Sequence, residues 1–169
     1  MTREKNITGD RHISHGEKTT EGGKITRTGK ITRHTIESGE PQPFHFLGVV
    51  SAEPDYRLSV MINRHLGCNL RKCDREISIT APSGIHSFSL FTTAPPLFTL
   101  VSNRSGGNVL LRRLKNIDFL IVPGEGRNRK MAEDLSASLR EIAEITAVFI
   151  FDSREISDRN LALLAPDQK

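Results

Sequence analysis

The sequence predicts an α+β domain, a two-layer sandwich of mainly antiparallel sheet with two helices on one face. Two observations point there. Short runs of alternating or continuous apolar residues, each bounded by turn residues, follow one another after residue 43, and two longer stretches between them carry apolar residues at helical spacing. Their order is strand, helix, several strands, helix, strand, which suits helices layered on a sheet in an elaborated ferredoxin-like order.

"FHFLGVV", residues 44–50, is the first strand. Leu58, Met61, Ile62 and Leu66 then recur at helical spacing up to Gly67, a residue suited to a left-handed C-cap. "REISIT", "HSFSLFTT" and "LFTLVSN" are separated by "APSG" and "APP" and read as a meander of antiparallel strands. "NIDFLIVPG" is a further strand. "NRKMAEDLSASLREIAEI" is the second helix, with Met131, Leu135, Leu139 and Ile142 on one stripe, and "TAVFIFD" closes the sheet.

Residues 1–43 have no aromatic residue and few aliphatics among many Gly, Thr, Ser, Lys and Glu, a composition that predicts a disordered arm ahead of a single domain over 44–164. Residues 165–169 are expected to be a flexible C-terminus. The arm holds a tandem repeat, "GKITRTGKITRH", which offers Lys24, Arg27, Lys30 and Arg33 as possible nucleic-acid contacts. Arg112, Arg113 and Lys115 offer a second basic cluster. Charge is nevertheless spread evenly: the arm has 8 Lys and Arg against 6 Asp and Glu, the remainder 16 against 14. An electrostatic footprint should be concentrated, so a solvated linker is the favoured reading of the arm.

No apolar run reaches the roughly 20 residues of a membrane span, and the N-terminus lacks the apolar core of a signal peptide. A cytoplasmic protein without membrane contact is expected, with Cys68 and Cys73 as reduced thiols.

"EPDYRLSVMINRHLG" crowds a proline, an acid, a tyrosine and an arginine into a first helical turn. Pro54 suits that turn because its missing N–H had no partner there, and Asp55 faces the positive end of the helix dipole. Arg57 precedes the apolar stripe. Asp118, inside the otherwise apolar "NIDFLIV", demands a partner. Asp55, Arg57 and Asp118 are therefore expected to form a structural ion-pair group, with Arg57 tied to Asp118, or else a binding site.

Chemical motifs are sparse. Gly124-Glu125-Gly126 between a strand and a helix, with Asp152 ending the next strand, imitates part of a dinucleotide fingerprint, but Arg129 fills the third glycine position and Glu125 sits where phosphate belongs. The glycines read as a tight turn. His45, His65, Cys68 and Cys73 lack paired C-x-x-C spacing, so no metal is expected. Glu133, Asp134, Glu141 and Glu144 lie with Lys130 and Arg140 on a solvated helix face. No catalytic residue and no cofactor is assigned.

"PDYRLSVMINRHLGCNLRK", "LVSNRS", "LKNIDFLI" and "FDSREISDRNLALL" resemble segments of the bacterial IPExxxVDY family over roughly residues 44–164. Leu111-Arg112-Arg113 stand where that family has Ile-Pro-Glu, and Ile117-Asp118-Phe119 where it has Val-Asp-Tyr. The resemblance implies a bacterial cytosolic setting and no particular reaction.

The functional expectation is a non-catalytic interaction or structural module that self-associates. The last strands are apolar on both faces and two helices cover one; the closing segment "SREISDRNLALLA", through Ile156, Leu161, Leu163 and Leu164, is expected to cover part of the other, and a symmetric homodimer to bury the rest. An RNA-associated accessory protein using the basic cluster and arm is the alternative, supported by the pI of about 9.3. An enzyme built on Asp55, Arg57 or Asp118 stands behind both.

Overall fold

The first strand, β1 (His45–Val50), is buried on both faces and lies inside the sheet. The computed structural model describes residues 43–124 and 128–165. The expected arm, with Lys24, Arg27, Lys30 and Arg33, lies outside the described residues.

Helix α1 (Asp55–Leu66) starts behind Pro54 and stops at Gly67, whose φ of 62° is the left-handed cap that the glycine made available. Leu58 and Ile62 face inward. The edge strand β2 (Arg71–Lys72) follows, then a separate hairpin of β3 (Ile77–Ala81) and β4 (Gly84–Phe88). Here the expected meander is corrected: "HSFSLFTT" breaks at Ser89, and only β5 (Leu90–Thr92) and β6 (Phe98–Ser102) join the main sheet. The break follows burial, because Phe88 and Leu90 fill one side of the sheet while Phe91 fills the other.

A short hairpin of β7 (Arg104–Ser105) and β8 (Asn108–Val109) and a 3-10 turn (Arg112–Leu114) lead into β9 (Phe119–Pro123), whose five residues are all buried. Helix α2 (Arg129–Leu139) is capped by Asn128, which accepts from the Met131 N–H at 2.9 Å. It ends sooner than its periodicity suggested. Tight turns, with Ile142 N–H donating to Leu139 O and Ile145 N–H to Ile142 O, still bring both isoleucines into the core. Strand β10 (Ala147–Asp152) and two 3-10 turns (Ser153–Glu155, Arg159–Leu164) complete the described chain.

The main sheet has six strands in the order β10-β1-β9-β6-β5-β2, every neighbour antiparallel. Strands β1, β6, β9 and β10 with α1 and α2 between them reproduce the ferredoxin-like order, fourth-first-third-second, and the hairpins are its elaboration. Both helices pack on one face, as expected: Leu58, Ile62, Ala132 and Leu139 meet Leu47, Val49, Leu100, Phe119 and Ile121.

The other face departs from expectation. Phe46, Val101, Leu120 and Val122 are covered by Phe88, by Leu110, Leu111 and Leu114 of the segment before β9, and by Leu164 near the C-terminus. The chain supplies its own second cover. A homodimer that buries this face is therefore not needed, and the reason lies in "NVLLRRL", whose Leu110, Leu111 and Leu114 lie over the sheet between β8 and the 3-10 turn. What remains open among the described residues is an edge: β10 has one neighbour there, and Phe149 on it is 48% exposed.

Candidate functional site: a carboxylate cleft and an open sheet edge

Two places in the fold bear on function. The first is a cleft of about 420 Å³ at the ends of β1 and β6, entered by the loop into α1 and by the start of β9. Glu53, Asp55, Glu76 and Asp118 line it with Lys72 and Arg104. Two of the three residues singled out from the sequence thus share one cleft.

Their pairing differs from the expected one. Arg57 reaches Glu53 at 3.1 Å, one helical turn back, and its side chain is 54% exposed. Asp118 instead takes Arg104 Nε at 2.7 Å on Oδ1 and the Ser51 N–H at 3.2 Å on Oδ2. The Arg57–Asp118 pair is corrected accordingly: Asp118 enters the sheet beside β6, within reach of Arg104 two residues past that strand, and Arg57 reaches back to Glu53 along its own helix. Arg104 was missed because an arginine flanking a polar turn carries no signal of its partner.

Asp55 Oδ1 accepts the Tyr56 N–H at 2.7 Å, so it helps close the helix entry. Lys72 stands 3.6 Å from Glu76. Each cleft carboxylate is thus already engaged by a cation or an N–H, and no histidine or cysteine is among the residues lining the cleft. Three of the four carboxylates are matched by a cation, Asp55 is held by an N–H alone, and the Asp118 contacts tie the end of β1 to Arg104.

Asn103 is the other residue that sequence reasoning passed over. Fully buried, it donates through Nδ2 to Leu114 O and Ile117 O, both at 2.9 Å, and accepts the Leu111 N–H at 2.9 Å. Every polar position of its side chain is used in holding the cover segment over the second face. A signal was available in an asparagine between an apolar strand and a Gly-Gly turn.

The remaining candidates scatter. Arg112, Arg113 and Lys115 are exposed around one 3-10 turn, with the Arg113 N–H donating to Asp158 Oδ2 at 3.4 Å. His45 lies 3.8 Å from Asp152, and His65 3.4 Å from Glu141. Cys68 and Cys73 are free, and burial pushes the Cys68 thiol up from its ordinary value. Among the described residues no group of three or more His, Cys, Asp or Glu is placed to hold a metal ion. Gly124 has a packing reason: a Cβ there would stand 1.8 Å from Pro96 O. Asp152, the would-be ribose ligand, is held by Arg154, whose Nε lies 3.1 Å from it. No helix among the described residues is long and apolar enough to cross a membrane.

The second place is the free edge of β10. The Ser153 N–H donates to Phe44 O at 2.9 Å, so odd-numbered residues of β10 turn their main chain toward β1. Val148, Ile150 and Asp152 consequently turn theirs toward the open side. Arg140 Nη2 donates to Val148 O at 2.9 Å from that side, in agreement. From Ala147 to Phe151 the strand has no charge and no proline, the usual protections of an edge.

Models of known protein families give no match to this chain. No curated protein matches it either.

Proposed function

We propose that this chain is a non-catalytic interaction module that self-associates, and that it does so by main-chain pairing at β10. The observation that carries the reading is the edge itself, a six-residue strand with the main chain of Ile150 turned outward and Phe149 half exposed beside it. From Ala147 to Phe151 the edge carries no proline and no charge of its own, which makes it a template for another strand. The engagement of each cleft carboxylate by a cation or an N–H supports the non-catalytic part. A kinship with IPExxxVDY proteins, which we also propose, is compatible with that reading.

Ile150→Pro is the direct test. Its N–H faces away from β1, so proline removes no bond of the existing ladder but blocks a new one. In sedimentation velocity at roughly tens of micromolar, wild type should run as a dimer and the variant as a monomer. A monomeric wild type contradicts the reading.

An RNA-associated role is the second reading, favoured by the exposed Arg112, Arg113 and Lys115 on one turn. Filter binding across a salt series tests it, and no retention of RNA at low salt ends it.

A further inference from the structure

We infer that the strand added to β10 is the β10 of a second copy, antiparallel about a two-fold axis at Ile150, and that Arg140 of each copy pairs with the partner's Asp152. This rests on the strand-addition reading above and specifies its partner and its charge code.

Only Val148, Ile150 and Asp152 present main-chain groups to the open side. An antiparallel two-fold pairing must place outward residues opposite outward residues. The register that engages all three at once is centred on Ile150: Ile150 meets itself, and Val148 meets the partner's Asp152. Shifting the axis to either neighbour leaves one of the three without an opposite number inside the strand. The same register sets Phe149 against the partner's Phe151, aromatic pairs that already sit 6.4 Å apart within one chain.

Charge then selects the partner. The Arg140 guanidinium sits at Val148 O, and among the described residues no carboxylate pairs with it. Val148 lies opposite the partner's Asp152. The side chains of Val148 and Ile150 lie on the helix-covered face, the same side from which Arg140 reaches as the C-cap of α2, and Asp152 shares their alternation. On pairing, the partner's Asp152 N–H takes Val148 O, and Arg140 turns to the partner's carboxylate, twice by symmetry. Arg140 thus shields the edge of a lone chain and closes the seam between two. Within its own chain the Asp152 carboxylate also takes the Arg154 N–H and guanidinium, with His45 3.8 Å away, so the partner's Arg140 would join an anion that is already held in place.

The test uses the full chain. Arg140→Asp should raise the dimer dissociation constant roughly tenfold or more, and Asp152→Asn should raise it in the same direction. Wild-type dimer should weaken between ~50 mM and ~500 mM salt, and in the Arg140→Asp chain that weakening should vanish or reverse, since salt then screens the repulsion from the partner's Asp152. Ile150→Cys, oxidised mildly, should form a disulfide-linked dimer that wild type, with Cys68 and Cys73 alone, does not. Residues facing each other in a bonded antiparallel pair have Cα atoms about 5.5 Å apart, within disulfide reach. If Ile150→Pro dissociates the protein while Arg140→Asp leaves affinity and salt dependence unchanged, and Ile150→Cys gives no crosslink, the edge reading survives and this register is overturned. A monomeric wild type overturns both.

Discussion

Arg104 Nε stands 2.7 Å from Asp118 Oδ1, and this pair, with the Ser51 N–H on the other carboxylate oxygen, joins the end of β1 to the starts of β7 and β9. Arg104 also donates through Nη2 to Lys115 O. By contrast, among the described residues Arg57 pairs only with Glu53, with its own side chain 54% exposed. The two arginines should therefore differ in what they contribute to stability. Arg57→Ala should change it by less than about 0.5 kcal/mol, while Arg104→Ala should cost about 1 to 2 kcal/mol because it strands a half-buried acid. Chemical denaturation of the two variants checks this. Equal effects would mean that Asp118 has a substitute partner.

Asn103 should be more sensitive still. Its replacement by Ala strands Ile117 O and the Leu111 N–H and leaves Leu114 O with the Ile117 N–H alone, a loss of about 2 to 3 kcal/mol. Asn103→Asp should do no better, since Leu114 O and Ile117 O need donors. A melting temperature within a degree or two of wild type for either variant would contradict the role assigned to the segment as cover of the second face.

These two residues also mark how far the sequence could be read. Strand β1, helix α1 with its glycine cap, β9 and β10 were legible because their burial follows from local periodicity, and the order of elements carried the architecture. The cover over the second face was not legible: "SNRSGGNVLLRRL" has no period, and its leucines are placed by Asn103, a contact set by tertiary structure. The partners of Asp118 and Arg57 were equally hidden, because charge complementarity names the kind of partner and not the residue. The edge position of β10 depends on strand order, which alternation within one strand does not encode.

Gly48 is the sheet position that cannot take a side chain. A Cβ there would stand 2.6 Å from Phe151 Cε2 and 3.1 Å from Ile117 Cγ2. Gly48→Ala should therefore cost about 1 to 3 kcal/mol, since the Phe151 ring has to shift under the second-face core. Urea denaturation measures it. A neutral result would mean that the ring moves freely.

Acid should weaken the fold through Asp152. Hydrogen bonds from the Arg154 guanidinium, then from the Arg154 N–H, hold its carboxyl at about 2 against an ordinary 3.8, with smaller help from the charges of Arg154 and His45. A lowered folded value means a contribution that is complete above the ordinary value and is lost as pH falls from 3.8 toward about 2. Wild type should accordingly lose its advantage over Asp152→Asn across that interval in denaturation midpoints taken as a function of pH. Parallel curves for the two proteins would remove Asp152 from the acid response.

The Ile150 N–H reports most directly on the central claim, that β10 accepts a strand. In a lone chain it faces the open edge and exchanges with solvent, whereas the Phe149 and Phe151 N–H groups are turned toward β1. Residue-resolved amide hydrogen exchange, measured from roughly one to several hundred micromolar, follows it through association. Protection of Ile150 that rises with concentration while Phe149 and Phe151 stay protected throughout is the predicted result. Fast exchange of Ile150 at the highest concentration, in a protein that is nonetheless dimeric, would place the interface elsewhere and contradict the account.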